Sequence, residues 1–235
     1  MAKSITAIDA ETPTLGILCL DEPASEVLAL RDFDHPDNYE RAILSQNVPG
    51  ATVDATLSAD PRLAQPFVET AKSLEAKGAK LIVSNCGYVI AYDSAVRHSV
   101  SVPVATSSLL LLPFIVQLLR ESEKVGILTF DSSKLTRRHL TLAWPSMADS
   151  CISLSGLEGT PSWEEITGFG VYDPEKLFRD SSLALQRLCD DPRVAIILVE
   201  CCALCSFVPR YRVQAKRPIF DAVSMTRLLI EGLSA

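Results

Sequence analysis

The sequence lacks the patterns that mark several large classes of protein. No run of basic residues offsets the formal net charge of -7, so we expect no nucleic-acid partner, because an acidic surface repels phosphate backbones. No glycine-rich phosphate-binding loop, of either the Gly-x-Gly-x-x-Gly or the P-loop type, follows an apolar run. The sequence therefore gives no indication of a dinucleotide or a nucleoside triphosphate.

Long apolar segments are missing as well. The longest apolar run, around residues 108–119, is too short to span a bilayer and is interrupted by Pro113 and Gln117. The first residues contain no apolar stretch of the kind that a secretory signal requires. We therefore expect no membrane association and a cytoplasmic location.

Metal ligands are scarce. The three histidines, His35, His98 and His139, flank none of the seven cysteines. Zinc commonly takes four protein ligands, and Cys202-x-x-Cys205 provides a single pair. An odd number of cysteines at irregular spacing also argues against a disulfide framework. We expect free thiols, no metal and no cofactor.

The sequence does contain an alternation of short apolar runs and longer segments with helical periodicity. Runs rich in Val and Ile predict buried strands, and apolar residues three and four positions apart predict helices. Such alternation is typical of α/β proteins whose parallel sheets are covered on both faces. We expect strands at 15–20, 81–84, 102–105, 125–130, 194–199 and 218–220, with weaker candidates at 51–57 and 151–154. We expect helices at 64–77, 109–121, 174–189 and 222–233, and a loop or mobile lid at 31–47.

An internal repeat is the most informative pattern in the sequence. Residues 15–21 and 125–131 both read apolar-Gly-Ile-Leu-x-apolar-Asp, 110 positions apart. An apolar run that ends in a polar residue and a cysteine finishes at Cys86 and again at Cys201, 115 positions apart. A proline before a short apolar run recurs with that same offset. Three matches in one order predict two similar halves, although Val/Ile-rich strands of any parallel sheet resemble one another.

The repeat also predicts where the functional site lies. It gives one lobe from residues 1–108 plus 208–235 and a second lobe from residues 109–207. Ligands of open α/β sheets bind beyond the carboxyl ends of the strands. Cys86 and Cys201 follow such ends, so we expect them on opposite sides of one pocket. A helix that began after each cysteine would lower the pKa of its thiol.

Two facing thiols suit proton transfer to and from carbon. One thiolate can remove a proton beside a carbonyl while the other thiol returns a proton to the opposite face, which racemises a stereocentre without a cofactor. Hydroxyl groups near the pocket would stabilise the enolate-like intermediate. The candidates for this role follow predicted strands and are Thr106, Ser107, Thr129 and Ser132.

The motifs also resemble those of a known family. Ser-Asn-Cys-Gly-Tyr around Cys86 and Leu-Val-Glu-Cys-Cys around Cys201, together with residues 15–21 and 102–110, resemble the aspartate/glutamate/hydantoin racemase superfamily. The resemblance covers nearly the whole chain. It implies an α/β fold of two pseudo-symmetric Rossmann-like lobes with mainly parallel sheets and the active site in the cleft between them. It also implies cofactor-independent catalysis by the thiol pair and places Asp21 at the pocket.

Three positions depart from the amino-acid racemases of that superfamily. Gly87 stands where those enzymes have Asn or Thr, Cys202 where they have Thr, and Ala203 where glutamate racemases have His. We therefore expect a racemase or epimerase of a small carboxylate or a hydantoin-like cyclic amide. The alternatives are a cis-trans isomerase or decarboxylase of a small diacid, and a small-ligand binding protein without catalysis.

The remaining candidates for substrate binding surround the two cysteine motifs. Asn85, Gly87 and Tyr88 flank the first thiol, and Arg210 follows the second motif closely enough to bind a carboxylate. Cys202 is also an alternative second thiol, because sliding the motif by one residue places it opposite Cys86. We prefer Cys201, since it keeps the offset of the repeat. A homo-oligomer is compatible with the sequence.

Overall fold

The computed structural model describes residues 14–21, 33–39, 41–147, 151–169 and 173–233, which form two α/β halves. The strands in these ranges are β1 Thr14–Cys19, β2 Ile43–Asn47, β3 Ala79–Ser84, β4 Val104–Ala105, β5 Lys124–Leu128, β6 Ile152–Ser155, β7 Val194–Val199 and β8 Ile219–Phe220. The α-helices are α1 Val53–Leu57, α2 Ala64–Ala76, α3 Asp93–Arg97, α4 Leu112–Ile115, α5 Arg137–Ala143, α6 Pro161–Phe169, α7 Pro174–Asp190, α8 Val208–Ala215 and α9 Ala222–Leu233. Within the same ranges, no helix has the length and hydrophobicity needed to cross a membrane.

The two halves have the same sheet topology. Each sheet has four parallel strands, in the order β2-β1-β3-β4 in the first half and β6-β5-β7-β8 in the second. Even an irregularity of register recurs, between Thr14 and Leu15 in β1 and between Lys124 and Val125 in β5. The structure therefore confirms the predicted α/β class with two lobes, and the repeat in the sequence corresponds to a repeat in the fold.

A glycine in the first strand of each half allows a helix to pack closely on the sheet. A Cβ atom on Gly126 would lie 2.8 Å from Val194 and 3.3 Å from Leu188 of α7. Gly16, its counterpart in β1, is enclosed in the same way, with Leu74 of α2 at 3.4 Å. Because cores are close-packed, neither position has room for a methyl group without movement of its neighbours.

Replacing Gly126 with alanine is therefore expected to lower the free energy of unfolding by about 1–3 kcal/mol, the usual effect of overpacking a core. The matched control is Gly232→Ala in α9, where a new Cβ would meet nothing within 4 Å. Alanine favours helix more than glycine does, so this control is expected to be neutral or slightly stabilising. Urea denaturation of both variants measures the difference, and equal stabilities would contradict the packing explanation.

The helix after the last strand of each half packs on the sheet of the other half. In α9, Val223 and Ile230 lie in one core with Ile17 of β1. In α4, which follows the first sheet, Leu112 lies in one core with Ile127 of β5. This reciprocal exchange buries apolar surface between the halves and fixes the cleft that lies between them.

The strand pairing departs from the predicted lobe boundaries at one place. Residues 208–235 are expected in the first lobe, but Ile219 of β8 pairs with Ile197 of β7 in the second sheet. Val208 and Tyr211 of α8 also pack with the core of that second half. Only α9 lies on the first sheet, because its apolar face is the part of the stretch that complements β1 and β3. The division of the chain into two domains remains a prediction.

Two predictions of local structure are wrong. The segment 31–47, predicted as a loop or lid, contains β2, a half-exposed strand whose polar Ser45 and Gln46 hide the apolar pattern of a strand. Residues 31, 32 and 40 of that segment lie outside the described residues. The weak strand candidate at 51–57 contains α1, which begins after Thr52, whose side chain accepts the N–H of Ala55 at 3.3 Å.

The predicted helix 109–121 is broken into short pieces. It consists of a 3-10 helix at Ser108–Leu111, α4, and a second 3-10 helix at Val116–Leu118. Pro113 lies in the first turn of α4, where its missing N–H and fixed backbone angle are tolerated at a helix start.

Candidate active site

A cavity of about 110 Å³ lies where the two halves meet, at the carboxyl ends of β3 and β7. Its apolar lining consists of Leu20, Val53, Leu57, Phe130, Ile166 and Ala203. The other lining residues are Asn85, Cys86, Gly87, Tyr88, Glu200, Cys201 and Cys202. Glu200 is the one acidic residue among these lining residues. The cavity is therefore small, largely apolar and without a lysine or arginine in its described walls.

The two predicted thiols line this cavity from opposite halves. Cys86 is extended and directly precedes a 3-10 helix, Gly87–Ala91. Cys201 is extended in the same way and directly precedes the 3-10 helix Cys202–Phe207. Both side chains are half-buried. The repeat thus brings two thiols with the same local backbone to one small pocket.

The pKa of both thiols is raised, which is opposite to the expected lowering by helix N-termini. Burial, together with the nearby carboxyl of Glu200, raises the pKa of Cys86 to about 12, against the N–H groups of Tyr88 and Val89. Burial and Glu200 also raise the pKa of Cys201 well above its ordinary range, although the N–H of Ala203 acts the other way. Desolvation outweighs a few short-helix N–H groups, so both groups are thiols at neutral pH.

Glu200 is the functional candidate that sequence reasoning missed. Its side chain is fully buried between β5 and the two cysteine motifs. Its Oε2 accepts a hydrogen bond from the Thr129 hydroxyl at 2.7 Å, and its Oε1 has no hydrogen-bond partner among the described residues. Burial, offset in part by Thr129, raises the pKa of this carboxyl to about 7. The repeat could have indicated Glu200 as a site residue, because Glu200 is the counterpart in the second half of Asn85, which was predicted to bind substrate.

The backbone at Gly87 lies directly against Glu200. A Cβ atom at this position would overlap the Glu200 carboxyl and lie 2.7 Å from its main-chain oxygen. The absence of a side chain therefore lets the segment after Cys86 pack on the segment before Cys201. This contact explains why glycine stands where the sequence departs from the amino-acid racemases.

Tyr88 ties the two halves together behind the cavity. Its hydroxyl donates to the main-chain oxygen of Asp131 and lies 3.1 Å from the hydroxyl of Thr129. Its ring also makes an edge contact with His139, with centroids 5.5 Å apart. Tyr88, Thr129 and Glu200 consequently form one buried polar cluster that crosses from the first half to the second, with Tyr88 donating to Asp131 and Thr129 donating to Glu200.

The sequence relatives of this chain are lyases. No protein-family model matches the chain. A dimethylsulfoniopropionate lyase from Durusdinium sp. clade D is 28% identical over 208 residues, which cover 86% of this chain and 69% of the relative. Dimethylsulfoniopropionate lyase 7 from Emiliania huxleyi is 24% identical over 233 residues, which cover 95% of this chain and 68% of the relative. The chain thus spans about two thirds of the length of these relatives, and 61% of lyase 3 from Emiliania huxleyi.

The solved structures that resemble the chain perform several reactions. Allantoin racemase from Klebsiella pneumoniae has a TM-score of 0.65 and 15% identity, and the match covers 93% of this chain and 87% of that one. Glutamate racemase from Bacillus anthracis has a TM-score of 0.62 and 14% identity, covering 94% and 81%. A glycine-to-cysteine mutant of arylmalonate decarboxylase has a TM-score of 0.60 and 17% identity, covering 95% of both chains.

The chain has the fold of the aspartate/glutamate/hydantoin racemase superfamily. This confirms the fold that the sequence motifs implied. The relatives and the structures are all named as enzymes, which supports an enzyme rather than a binding protein. Because racemases and a decarboxylase share the racemase-superfamily fold, the fold alone does not choose the reaction.

Several other predicted residues do not line the cavity of this racemase-superfamily fold. Thr106 is buried and donates to Asp93 at 2.8 Å, and Ser107 accepts the N–H of Leu109. Ser132 lies at the surface and donates to Glu158. These hydroxyls hold local structure, because each is already engaged by a neighbour close in its own half. Asn85 does line the cavity, and its Oδ1 accepts the N–H of Leu20 at 3.1 Å.

Asp21 and Arg210 were predicted to lie at the pocket, but neither lines the cavity. Asp21 is exposed, and its carboxylate accepts the N–H of Gly50 at 2.8 Å. Arg210 points away from the cavity, pairs with Glu175 at 2.8 Å and lies 3.2 Å from the ring centroid of Phe178. Closeness in sequence to a site motif does not decide on which face of α8 a side chain lies. Arg210 lies on the face that meets Glu175 of α7.

Cys202 also lines the cavity but is more deeply buried than Cys201. Its Sγ lies 3.7 Å from the main-chain oxygen of Ser84 and interacts with the thiol of Cys205. The geometry therefore favours Cys201 as the partner of Cys86, because it is the more accessible of the two neighbouring thiols. Within the described ranges, no cluster of His, Cys, Asp and Glu could hold a metal ion.

Proposed function

We propose that this protein is a cofactor-independent lyase that cleaves dimethylsulfoniopropionate into dimethyl sulfide and acrylate. The observation that carries the proposal is a small apolar cavity in which three thiols, one buried carboxyl and the phenol of Tyr88 are the ionisable groups. Its described walls hold no cation that would repel a sulfonium group. The substrates of the curated relatives support the same choice.

The reaction needs one base and no cofactor. A thiolate takes the proton from the carbon next to the substrate carboxylate, forming an S–H bond. The electron pair of that C–H bond forms the C=C bond of acrylate, and the C–S bond breaks with its pair moving to sulfur. Neutral dimethyl sulfide leaves, and the thiol later releases its proton to solvent. The balance is one sulfonium zwitterion converted to dimethyl sulfide, acrylate and a proton.

Cys86 is the better candidate for the base. Two main-chain N–H groups act on its sulfur, whereas one acts on Cys201, so its thiolate is the easier one to form. In this assignment Cys201 remains a thiol and donates a hydrogen bond to the charge that develops on the substrate. Such a donor is worth most in an apolar site, where electrostatic interactions are strong.

A sulfonium substrate would activate the base by its own charge. A cation placed beside a thiol favours the thiolate and opposes the desolvation that raises the pKa of Cys86. The methyl groups on sulfur would contact apolar walls such as Leu57 and Ile166, and the ring of Phe130 offers a cation–π partner. The high thiol pKa of the site is thus compatible with catalysis, since ionisation would accompany binding.

A racemase or epimerase is the second candidate function. The observation that favours it is the symmetric placement of the two thiols, together with a fold shared with allantoin and glutamate racemases. Both reactions begin with removal of a proton next to a carbonyl carbon. They differ in the next step, because a lyase expels a leaving group whereas a racemase returns a proton from the second thiol.

The deciding experiment incubates the purified protein with dimethylsulfoniopropionate and measures dimethyl sulfide in the headspace and acrylate by NMR. We expect the two products in equal amounts. A parallel incubation in heavy water, with amino acids, hydantoins and small diacids, follows exchange of the proton next to the carbonyl. Exchange in that panel without release of dimethyl sulfide would replace the lyase by the racemase.

A further inference from the structure

We infer that Glu200 is an internal proton acceptor that the two thiols share, and that it acts through them in the reaction proposed above. Its place in the chain puts it between them. It directly precedes Cys201, and its carboxyl lies against the backbone of Gly87, the residue after Cys86. The inference rests on the proposed function for its role in turnover, but its coupling to the thiols is independent of the substrate.

The hydrogen bonding of Glu200 leaves one oxygen available. Oε2 accepts from Thr129, while Oε1 is buried and has no hydrogen-bond partner among the described residues. An unsatisfied buried oxygen is unfavourable, because the group has lost its hydration without a replacement. A carboxyl that only filled space would be expected to have both oxygens satisfied. Glu200 lines the same cavity as Cys86 and Cys201, so its unpartnered oxygen is instead suited to receive a proton.

Among the described residues, the titratable groups whose pKa the Glu200 carboxyl raises are all weaker acids than Glu200. Cys86 and Tyr88 face it from the first half, Cys201 follows it in the chain, and Thr129, directly after β5, is its neutral neighbour. Burial, and then the carboxyl of Glu200, raise the pKa of each of the two thiols and of the Tyr88 phenol. Glu200, with a pKa of about 7, is therefore the first of these groups to ionise.

The proton transfer within the site conserves charge. The S–H bond of Cys86 breaks and an O–H bond forms on Glu200, so one negative charge moves from the carboxylate to the sulfur. The thiolate then takes the proton from the substrate carbon, which restores the thiol. The proton on Glu200 leaves to solvent after dimethyl sulfide and acrylate have gone, and the carboxylate is ready for another cycle.

This mechanism fixes the sign of the pH dependence. Glu200 must be ionised to accept a proton, so activity should rise as the pH rises through about 7 and be lost below it. Above that pH the rate should level off, because the acceptor is already ionised. Without Glu200, Cys86 would have to lose its proton to solvent, and the rate should keep rising about tenfold per pH unit across the neutral range.

The first test measures alkylation of the thiols by iodoacetamide in the absence of substrate. Tandem mass spectrometry assigns the alkylated residue within each peptide, because Cys201, Cys202 and Cys205 share one tryptic peptide, and Cys189, which does not line the cavity, is the internal reference. Because an ionised Glu200 raises the pKa of both thiols, Glu200→Gln should accelerate their alkylation at pH 8, by about tenfold for each unit by which the pKa falls. Unchanged or slower alkylation, in a variant with wild-type circular dichroism, would overturn the coupling.

The second test measures the pH profile of dimethyl sulfide release. Glu200→Gln should lower kcat at pH 7.5 about tenfold or more while alkylation rises, and its profile should lose the plateau. Loss of packing alone would lower the rate without changing the shape of the profile. Thr129→Val should move the wild-type limb to higher pH, since the hydroxyl that stabilises the carboxylate is gone, and Thr129→Ser should leave it in place. A plateau that survives in Glu200→Gln would refute the role in turnover.

The two tests separate the two proposals. If the wild-type protein releases no dimethyl sulfide but Glu200→Gln accelerates alkylation, the proposed substrate is wrong and the coupling of Glu200 to the thiols stands. If dimethyl sulfide is released and Glu200→Gln changes neither alkylation nor the pH profile, the lyase stands and the inference about Glu200 is wrong.

Discussion

Replacing Cys86 with serine is expected to lower kcat for dimethylsulfoniopropionate by about 1,000-fold or more, the range of effects seen when a positioned acid–base group is lost. A serine hydroxyl is nearly the same size as the thiol but is a far weaker acid, so it provides no base at neutral pH. Replacing Cys201 should cost less, about 10- to 100-fold, because it donates a hydrogen bond and takes no proton from carbon. Initial rates of dimethyl sulfide release measure both effects.

The comparison of the two variants also distinguishes the candidate reactions. A racemase needs both thiols in every cycle, so equal losses of proton exchange in Cys86→Ser and Cys201→Ser, measured with the heavy-water panel, would favour racemisation. Cys189→Ser is the matched control, because Cys189 lies on α7 away from the cavity and should keep the wild-type rate. A large loss in Cys202→Ser together with a small one in Cys201→Ser would move the second thiol to Cys202.

The two similar halves of the fold were predictable from sequence because the strand pattern repeats. The apolar-Gly-Ile-Leu pattern of β1 and β5 and the cysteines after β3 and β7 predict two similar halves and one shared cleft, which the structure confirms. β2 escaped prediction because a half-exposed edge strand carries polar residues such as Gln46. The assignment of β8, and of α8 before it, to the second half was not predicted either, because a strand as short as β8 holds little sequence information about its sheet.

The electrostatics of the site depend on packing that no local pattern encodes. Sequence reasoning assigned the thiols a lowered pKa from the helices that follow them, and each helix does begin where expected. Docking the halves, however, buries both thiols and places Glu200 beside them, and desolvation then dominates. The prediction that Arg210 binds a substrate carboxylate failed because its acidic partner, Glu175, lies 35 positions away in the chain and could not be foreseen from the local sequence.

The two candidate reactions share one demand on the site. Both begin with removal of a proton next to a carboxyl or carbonyl group, and an apolar pocket with a few well-placed acids stabilises the negative charge that this leaves on carbon. What differs is the group that leaves or returns. In the reaction that we propose, the absence of a cationic side chain from the described walls of the cavity is the feature that suits a cationic substrate.

Replacing Gly87 with alanine is expected to lower kcat about 100-fold or more, as misplacement of catalytic groups by about an ångström does elsewhere. The added Cβ would overlap the Glu200 carboxyl and lie 2.7 Å from the Glu200 main-chain oxygen. A side chain could rotate away, but the main-chain contact cannot be relieved without separating the two segments that carry the thiols. Kinetics with circular dichroism and thermal denaturation measure the effect, with Gly232→Ala, whose Cβ meets nothing within 4 Å, as the control. A Gly87→Ala variant with wild-type kcat would mean that the thiols and Glu200 do not need the close contact on which the mechanism depends.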